Sequence, residues 1–278
     1  MRLRKVRPAD VAWKRERRAG RRWAIYGALL GLMLALPLFA PATWLADVLY
    51  RTSGEHLLLA DAQGTVWTGH AVAVLQGGPD SRDAAALPGR VHWRIRLHWS
   101  GLRLKLRQAC CLKDELVLEL HPGLRGFTVT LPAHAEAIGQ WPARWLDGLG
   151  TPWNTLQLGG TVQVTSPGFS LQSTQGQLHL RGVLDLQLFN ASSRVSAIAP
   201  LGSYRFSVRS GPDAAQAATL TLETLEGPLQ LSGTGQWTGA RLRFRGQARA
   251  ADGHEAGLAN LLNIIGRRQG ALSVISIG

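Results

Sequence analysis

The 278-residue chain is poor in cysteine and in acidic side chains. It also lacks the motifs by which most enzyme classes announce themselves. Its two cysteines, Cys110 and Cys111, are adjacent. A single pair excludes a disulfide-built scaffold, and without histidines at ligand spacing it excludes a zinc site. Neighbouring residues sit closer than the ~4.4 Å Cα spacing at which disulfides usually begin, so a bond between them would be strained. The pair therefore reads first as two small buried hydrophobes at a strand end, with a redox or intermolecular role as the alternative.

Charged residues make up 18% of the chain, below the roughly one quarter of an average domain. Asp and Glu number 18 against 31 Lys and Arg, giving a net charge of +13. The excess is concentrated. Residues 1–22 hold ten basic side chains and two acidic ones, a charge of +8, which leaves +5 for the other 256 residues. A basic tail abutting an apolar run fixes membrane orientation, so the charge argues for topology and against a nucleic-acid partner.

Catalytic chemistry finds no foothold. The eight histidines are scattered, none forms H-E-x-x-H, and His254-Glu255 lacks a second ligand at the right spacing. There is no G-x-S-x-G elbow and no G-x-x-x-x-G-K-[ST] phosphate loop. Gly233, Gly235 and Gly239 miss the dinucleotide spacing by one residue and precede a strand where that fold needs a helix. Asn190-Ala191-Ser192 matches a glycosylation acceptor at chance level. The expectation is a non-enzyme with no cofactor, no metal, no small-molecule substrate and no nucleic-acid partner.

What the chain does have begins at residue 23. Residues 23–46 carry no charged side chain, and Ala24–Ala40 is almost wholly apolar. About 20 apolar residues suffice to cross the ~30 Å hydrocarbon core. Trp23, Tyr26 and Trp44 lie near the ends, and Pro37 and Pro41 would kink or end the helix. This predicts a basic cytoplasmic tail over 1–22, a transmembrane signal-anchor over 23–46 and an exported domain over 47–278. A cleaved secretory signal is the alternative, and it exports the same domain.

The exported part alternates with period two, as half-buried strands do. Val91, Trp93, Ile95, Leu97 and Trp99 fall on one face, and Arg90, His92, Arg94, Arg96 and His98 on the other. The register flips at Ser100-Gly101, after which Leu102, Leu104 and Leu106 oppose Arg103, Lys105 and Arg107. A turn or bulge at Gly101 keeps the apolar residues on one surface. Further strands are expected over Glu115–His121, Gly126–Leu131, Leu156–Thr165, Gln177–Leu188, Gly202–Arg209, Ala218–Leu225, Pro228–Ser232 and Arg241–Ala250. Helices are expected over Trp44–Tyr50, Ala133–Leu149 (broken at Pro142) and Asp252–Ile265, and Gly77–Leu87 is the candidate mobile loop. The predicted class is mainly β: a curved antiparallel meander with a few short helices.

Residues 84–112 carry six cations and no acid. Arg90, Arg94, Arg96, Arg103, Lys105 and Arg107 form a candidate interaction surface for anionic lipid headgroups or an acidic partner. The alternative is the solvated face of an amphipathic sheet.

Four segments together resemble one family. They are Gly64-Thr65-Val66-Trp67-Thr68-Gly69-His70-Ala71, Leu201-Gly202-Ser203-Tyr204-Arg205, the run from Glu226-Gly227-Pro228 to Trp237, and Leu261–Gly270. The chain resembles protein N of the bacterial type II secretion system, the GspN family. In this frame Gly64 and Gly69 are expected to bracket a short strand, Trp67 to be a buried core aromatic, and Gly227-Pro228 to be a turn. With Thr65, Val66, Gly202 and Tyr204 these are structural positions. The Arg90–Arg107 block and Cys110-Cys111 have no counterpart in the family pattern. The resemblance implies an accessory of the secretion machine in the inner membrane, with its bulk in the periplasm. Its partners would be other inner-membrane and periplasmic components, and its role would be to assemble or stabilise the apparatus. An open sheet with one continuous apolar face is also similar to the AsmA-like lipid-handling proteins of the bacterial envelope, which implies a membrane-lipid ligand.

Overall fold

The computed structural model describes residues 23–33, 35–79, 81–123, 126–134, 136–174, 177–210, 217–239 and 241–278. The chain divides into two compact units, residues 1–41 and 42–278. In the first, residues 23–33 and 35–38 are helical. Among the described residues no helix is long and apolar enough to cross a membrane. The basic tail over 1–22 lies outside the described residues.

The second unit opens with helix α1 (Ala42–Thr52) and then forms one 16-stranded antiparallel sheet. The first strands are β1 (Leu57–Gly64), β2 (Thr68–Gln76), β3 (Ala84–Ala86), β4 (Val91–His98), β5 (Gly101–Gln108), β6 (Leu116–Gly123) and β7 (Gly126–Leu131). After β8 (Gly139–Pro142) come two long strands, β9 (Leu158–Thr174) and β10 (Gln177–Ser193). The sheet continues through β11 (Gly202–Ser210), β12 (Ala218–Glu226), β13 (Leu229–Trp237) and β14 (Leu242–Ala250), then β16 (Leu272–Ile277) and β15 (Arg267–Gln269) at its far edge. Each strand pairs mostly with its neighbour in sequence, which is the expected meander, and the sheet is open, not closed into a barrel.

The β4–β5 hairpin forms as the register flip requires. Its turn is Trp99-Ser100, and Trp93 pairs with Leu106, Ile95 with Leu104 and Leu97 with Leu102, so the apolar residues share one face. That face continues across the sheet through Leu102–Leu120, Leu120–Val129, Val129–Leu171 and Leu171–Leu180.

Short helices pack against parts of the sheet. In α1, Ala42 and Leu45 pack on Ala71, Trp93 and Leu59. A 3-10 helix (Ala143–Leu149) brings Trp145, with Trp141 of β8, onto Ala73, Leu87 and Cys111. Helix α2 (Trp153–Leu156) is a single turn, and α3 (Glu255–Ile265) buries Leu258, Leu261 and Leu262 against Leu201, Tyr204, Leu229 and Ala248. That stripe is core packing, as its helical spacing predicts.

Several expectations fail for identifiable reasons. Of Ala133–Leu149 only the part after the predicted break at Pro142 is helical, as the 3-10 helix Ala143–Leu149, while residues 139–142 form β8. Gly139 and Pro142 weaken a helix over the earlier part, and β9 extends well beyond its partner β7, leaving a free edge that residues 139–142 pair with instead. Gly77–Leu87 is not simply a loop: it contains β3, ends in buried Leu87, and is tied down where Asn154 Nδ2 donates to Asp83 at 2.8 Å. The cysteines are bonded to each other; Cys111 is buried and Cys110 is exposed. Their turn docks on β8, where Gln140 N donates to Cys111 O at 2.7 Å.

Candidate interaction surface

The cationic residues divide into three groups by what they touch. Arg90 belongs to the edge of the sheet: it pairs with the Asp61 carboxylate and donates from Nη1 to Asp61 O at 3.2 Å. Hydrogen bonds from Gln63 and Arg90 hold the Asp61 carboxyl below its ordinary value. Arg90 is therefore committed to β1 and drops out of the predicted surface. Lys105 and Arg107 share Glu115, Lys105 in direct contact and Arg107 Nε at 3.9 Å, and Arg103 Nη2 meets Glu119 at 3.0 Å. The Lys105 hydrogen bond, with the charges of Lys105, Arg107 and Arg94, holds the Glu115 carboxyl down. Arg94 and Arg96 are exposed and make no hydrogen bond or ion pair among the described residues.

The register brings these groups into pairs. His92 stands opposite Arg107, Arg94 opposite Lys105 and Arg96 opposite Arg103, all on the polar face of β4 and β5. His70 of β2 joins the first pair, its ring 5.2 Å from that of His92. A cleft of about 750 Å³ lies over this face. Its floor includes His70, His92, Arg94, Lys105 and Arg107, and its sides are the Gly64–Gly69 turn and the Gln108–Glu115 loop. The histidine pair and the loop wall were not legible in the sequence, because neither the β2–β4 register nor the path of the β5–β6 loop has a local signature. Among the described residues no group of His, Cys, Asp and Glu is placed to hold a metal ion.

The remaining motif residues build the scaffold. Gly64 and Gly69 bracket a hairpin turn, not a strand: they pair with each other, Thr65 N donates to Thr68 O at 2.9 Å, and Thr68 N donates to Thr65 Oγ1 at 3.1 Å. The core aromatic at this turn is Trp93, with Trp67 only half-buried. The indole Nε1 of Trp93 donates to Val66 O at 3.1 Å, and its ring crosses Gly69 so closely that a Cβ there would lie 2.5 Å from Cζ2. The motif is thus a receptor for a tryptophan on another strand.

At the other end of the sheet the Tyr204 hydroxyl lies 2.9 Å from Leu229 O and 3.1 Å from Leu201 O, a fully internal arrangement. Burial pushes the phenol well above its ordinary value, so it acts as a neutral hydrogen-bond donor. Gly227-Pro228 turns the chain directly beneath Gly202, and Pro228 O accepts from Ala251 N at 2.7 Å. These residues hold β11, β13 and α3 together and contribute no reactive group.

A family model described as type II secretion system (T2SS), protein N, matches residues 55–274, nearly all of the second unit. No curated protein and no solved structure matches the chain.

Proposed function

Because the chain belongs to the type II secretion system protein N family, we propose that it is a non-enzymatic accessory of that system that supports assembly or stability of the exporting apparatus. In this reading residues 23–46 anchor it in the inner membrane, the basic tail stays in the cytoplasm, and residues 47–278 occupy the periplasm. The observation that carries the role is the family match over residues 55–274. The anchor is supported by the charge-free run over 23–46 behind ten basic residues, and by the exposed Trp23, Tyr26, Leu29, Leu30, Leu32 and Met33. The partners are other inner-membrane and periplasmic components of the system. The test is in-cell crosslinking through the exported domain, followed by detergent extraction and mass spectrometry. Inner-membrane platform proteins of the secretion system are the expected adducts, and their absence at every crosslinker position would refute the role.

One observation favours a second reading, a periplasmic lipid-binding or lipid-transport role of the AsmA-like type. The apolar row Leu102, Leu120, Val129, Leu171 and Leu180 is half-buried, while the clusters built around the helices take in other side chains, among them Ala71, Trp93, Ala73, Tyr204, Leu229 and Ala248. A half-covered apolar face of this kind suits acyl chains. Native mass spectrometry after gentle extraction distinguishes the readings, since a lipid-handling protein retains bound lipid and a purely structural accessory does not.

A further inference from the structure

Three cationic rungs run along β4 and β5: His92–Arg107, Arg94–Lys105 and Arg96–Arg103. Successive rungs are two residues apart, so they repeat at about 7 Å along the strands. An extended polypeptide presents every second side chain to the same side with the same repeat. We propose that this face receives an extended acidic segment of a partner protein whose carboxylates recur at alternate residues. The inference rests on the accessory role and supplies the chemistry of one of its contacts.

The charges on the face are complementary to such a segment. Arg94, Arg96, Arg103, Lys105 and Arg107 outnumber the acids around them: Glu115 and Glu119 neutralise Lys105, Arg107 and Arg103 only in part, and the loop side of the cleft adds Asp114 and Lys113, the latter paired with Glu136. Arg94 and Arg96 have both guanidinium edges available for charge-assisted, bidentate bonds to carboxylates. The steric form selects a chain over a lipid surface. The two inner rungs line a concave cleft bounded by residues of the Gly64–Gly69 turn and the Gln108–Glu115 loop, a shape that suits an extended chain better than a flat bilayer. A partner bound this way is steered by charge and held by register.

The experiment uses the full chain in neutral detergent and two fluorescein-labelled probes of identical composition. One peptide alternates glutamate and threonine, and the other carries the same residues in two blocks. Fluorescence anisotropy is expected to show the alternating peptide binding roughly tenfold more tightly than the block isomer. The double variant Arg94→Gln/Arg96→Gln abolishes that preference, whereas Arg205→Gln, a cation on β11, leaves it intact. Equal affinity for the two peptides overturns the proposal, because it reduces the surface to unspecific charge. Failure to bind either peptide, with Arg94- and Arg96-dependent binding to phosphatidylglycerol nanodiscs instead, overturns it in favour of a lipid surface. Neither result depends on which secretion proteins crosslink to the domain, so this contact and the accessory role fail separately.

Discussion

Replacing Gly227 by alanine should cost about 3 kcal/mol of stability, and the structure shows where that figure comes from. Gly227 has φ +116°, a conformation that side-chain-bearing residues adopt at a cost of about 1–3 kcal/mol. The new Cβ would also lie 2.2 Å from Gly202 Cα and 2.7 Å from Leu201 O. Carbon atoms settle at roughly 3.5–4.0 Å, so the backbone at 201–202 has to move by more than about 1 Å. That backbone is held at both polar groups: Leu201 N donates to Ala191 O at 2.6 Å, and Leu229 N donates to Leu201 O at 2.9 Å. Losing one of these bonds adds about 0.5–1.5 kcal/mol. Gly253 is the matched control, with φ +82° and no heavy atom within 4 Å of a built Cβ. Gly253→Ala therefore carries the conformational cost alone, about 1 kcal/mol. Urea unfolding of the full chain in neutral detergent, followed by tryptophan fluorescence, reads both. With a slope of about 3 kcal/mol per molar urea, the midpoint falls by about 1 M for Gly227→Ala and about a third of that for Gly253→Ala. Equal shifts in the two variants would refute the argument that close approach at Gly202, more than φ alone, requires glycine at position 227.

Three further outcomes follow from named contacts. Leu261→Ala should destabilise by roughly 2–5 kcal/mol, because Leu261 is 2% exposed against the β11–β14 core, while Ile264→Ala on the exposed flank of α3 should cost under about 1 kcal/mol; thermal melts compare them. Asp147→Asn should raise the melting temperature at neutral pH. Burial raises the Asp147 carboxyl, with a backbone hydrogen bond from Leu158 and the Arg144 charge offsetting it in part. A raised carboxyl contributes stability below its unfolded pKa, and that contribution is lost as pH rises through the folded value. The gain from asparagine should therefore shrink in acid, and a gain independent of pH would show that the desolvated charge is not its source. Leu30→Asp should move the chain out of the membrane fraction, since a charge at mid-span costs about 2.5–3.5 kcal/mol on insertion scales. Continued sedimentation with membranes would reveal another anchor.

The all-antiparallel meander was legible because its information is local. Alternation in Arg90–Trp99, the flip at Ser100-Gly101 and the Leu258–Leu261–Leu262 stripe each encode which face of one element is buried. Hydrophobic period reports this without reference to distant chain. The same reasoning failed over the part of Ala133–Leu149 before Pro142, where apolar spacing suggested a helix but at Gly139–Pro142 a free strand edge made a better partner; Ala143–Leu149 is helical. It also assigned the core aromatic of the Gly64–Gly69 turn to Trp67, the nearest tryptophan in sequence, whereas the turn closes on Trp93 of β4, the strand paired with β2.

The interaction surface shows the division most clearly. By itself the sequence determined that six cations alternate with apolar residues across one hairpin, and hence that they share a face. Only the tertiary structure decided that Arg90 is taken by Asp61, that Glu115 and Glu119 neutralise three of the others in part, and that Arg94 and Arg96 remain without a bonded partner among the described residues. It also decided that His70 stands beside His92 and that two loops raise walls around the inner rungs. The physical reason is the range of each interaction. Alternation is set by the backbone repeat of a single strand, whereas charge pairing and concavity depend on which strands become neighbours and in what register.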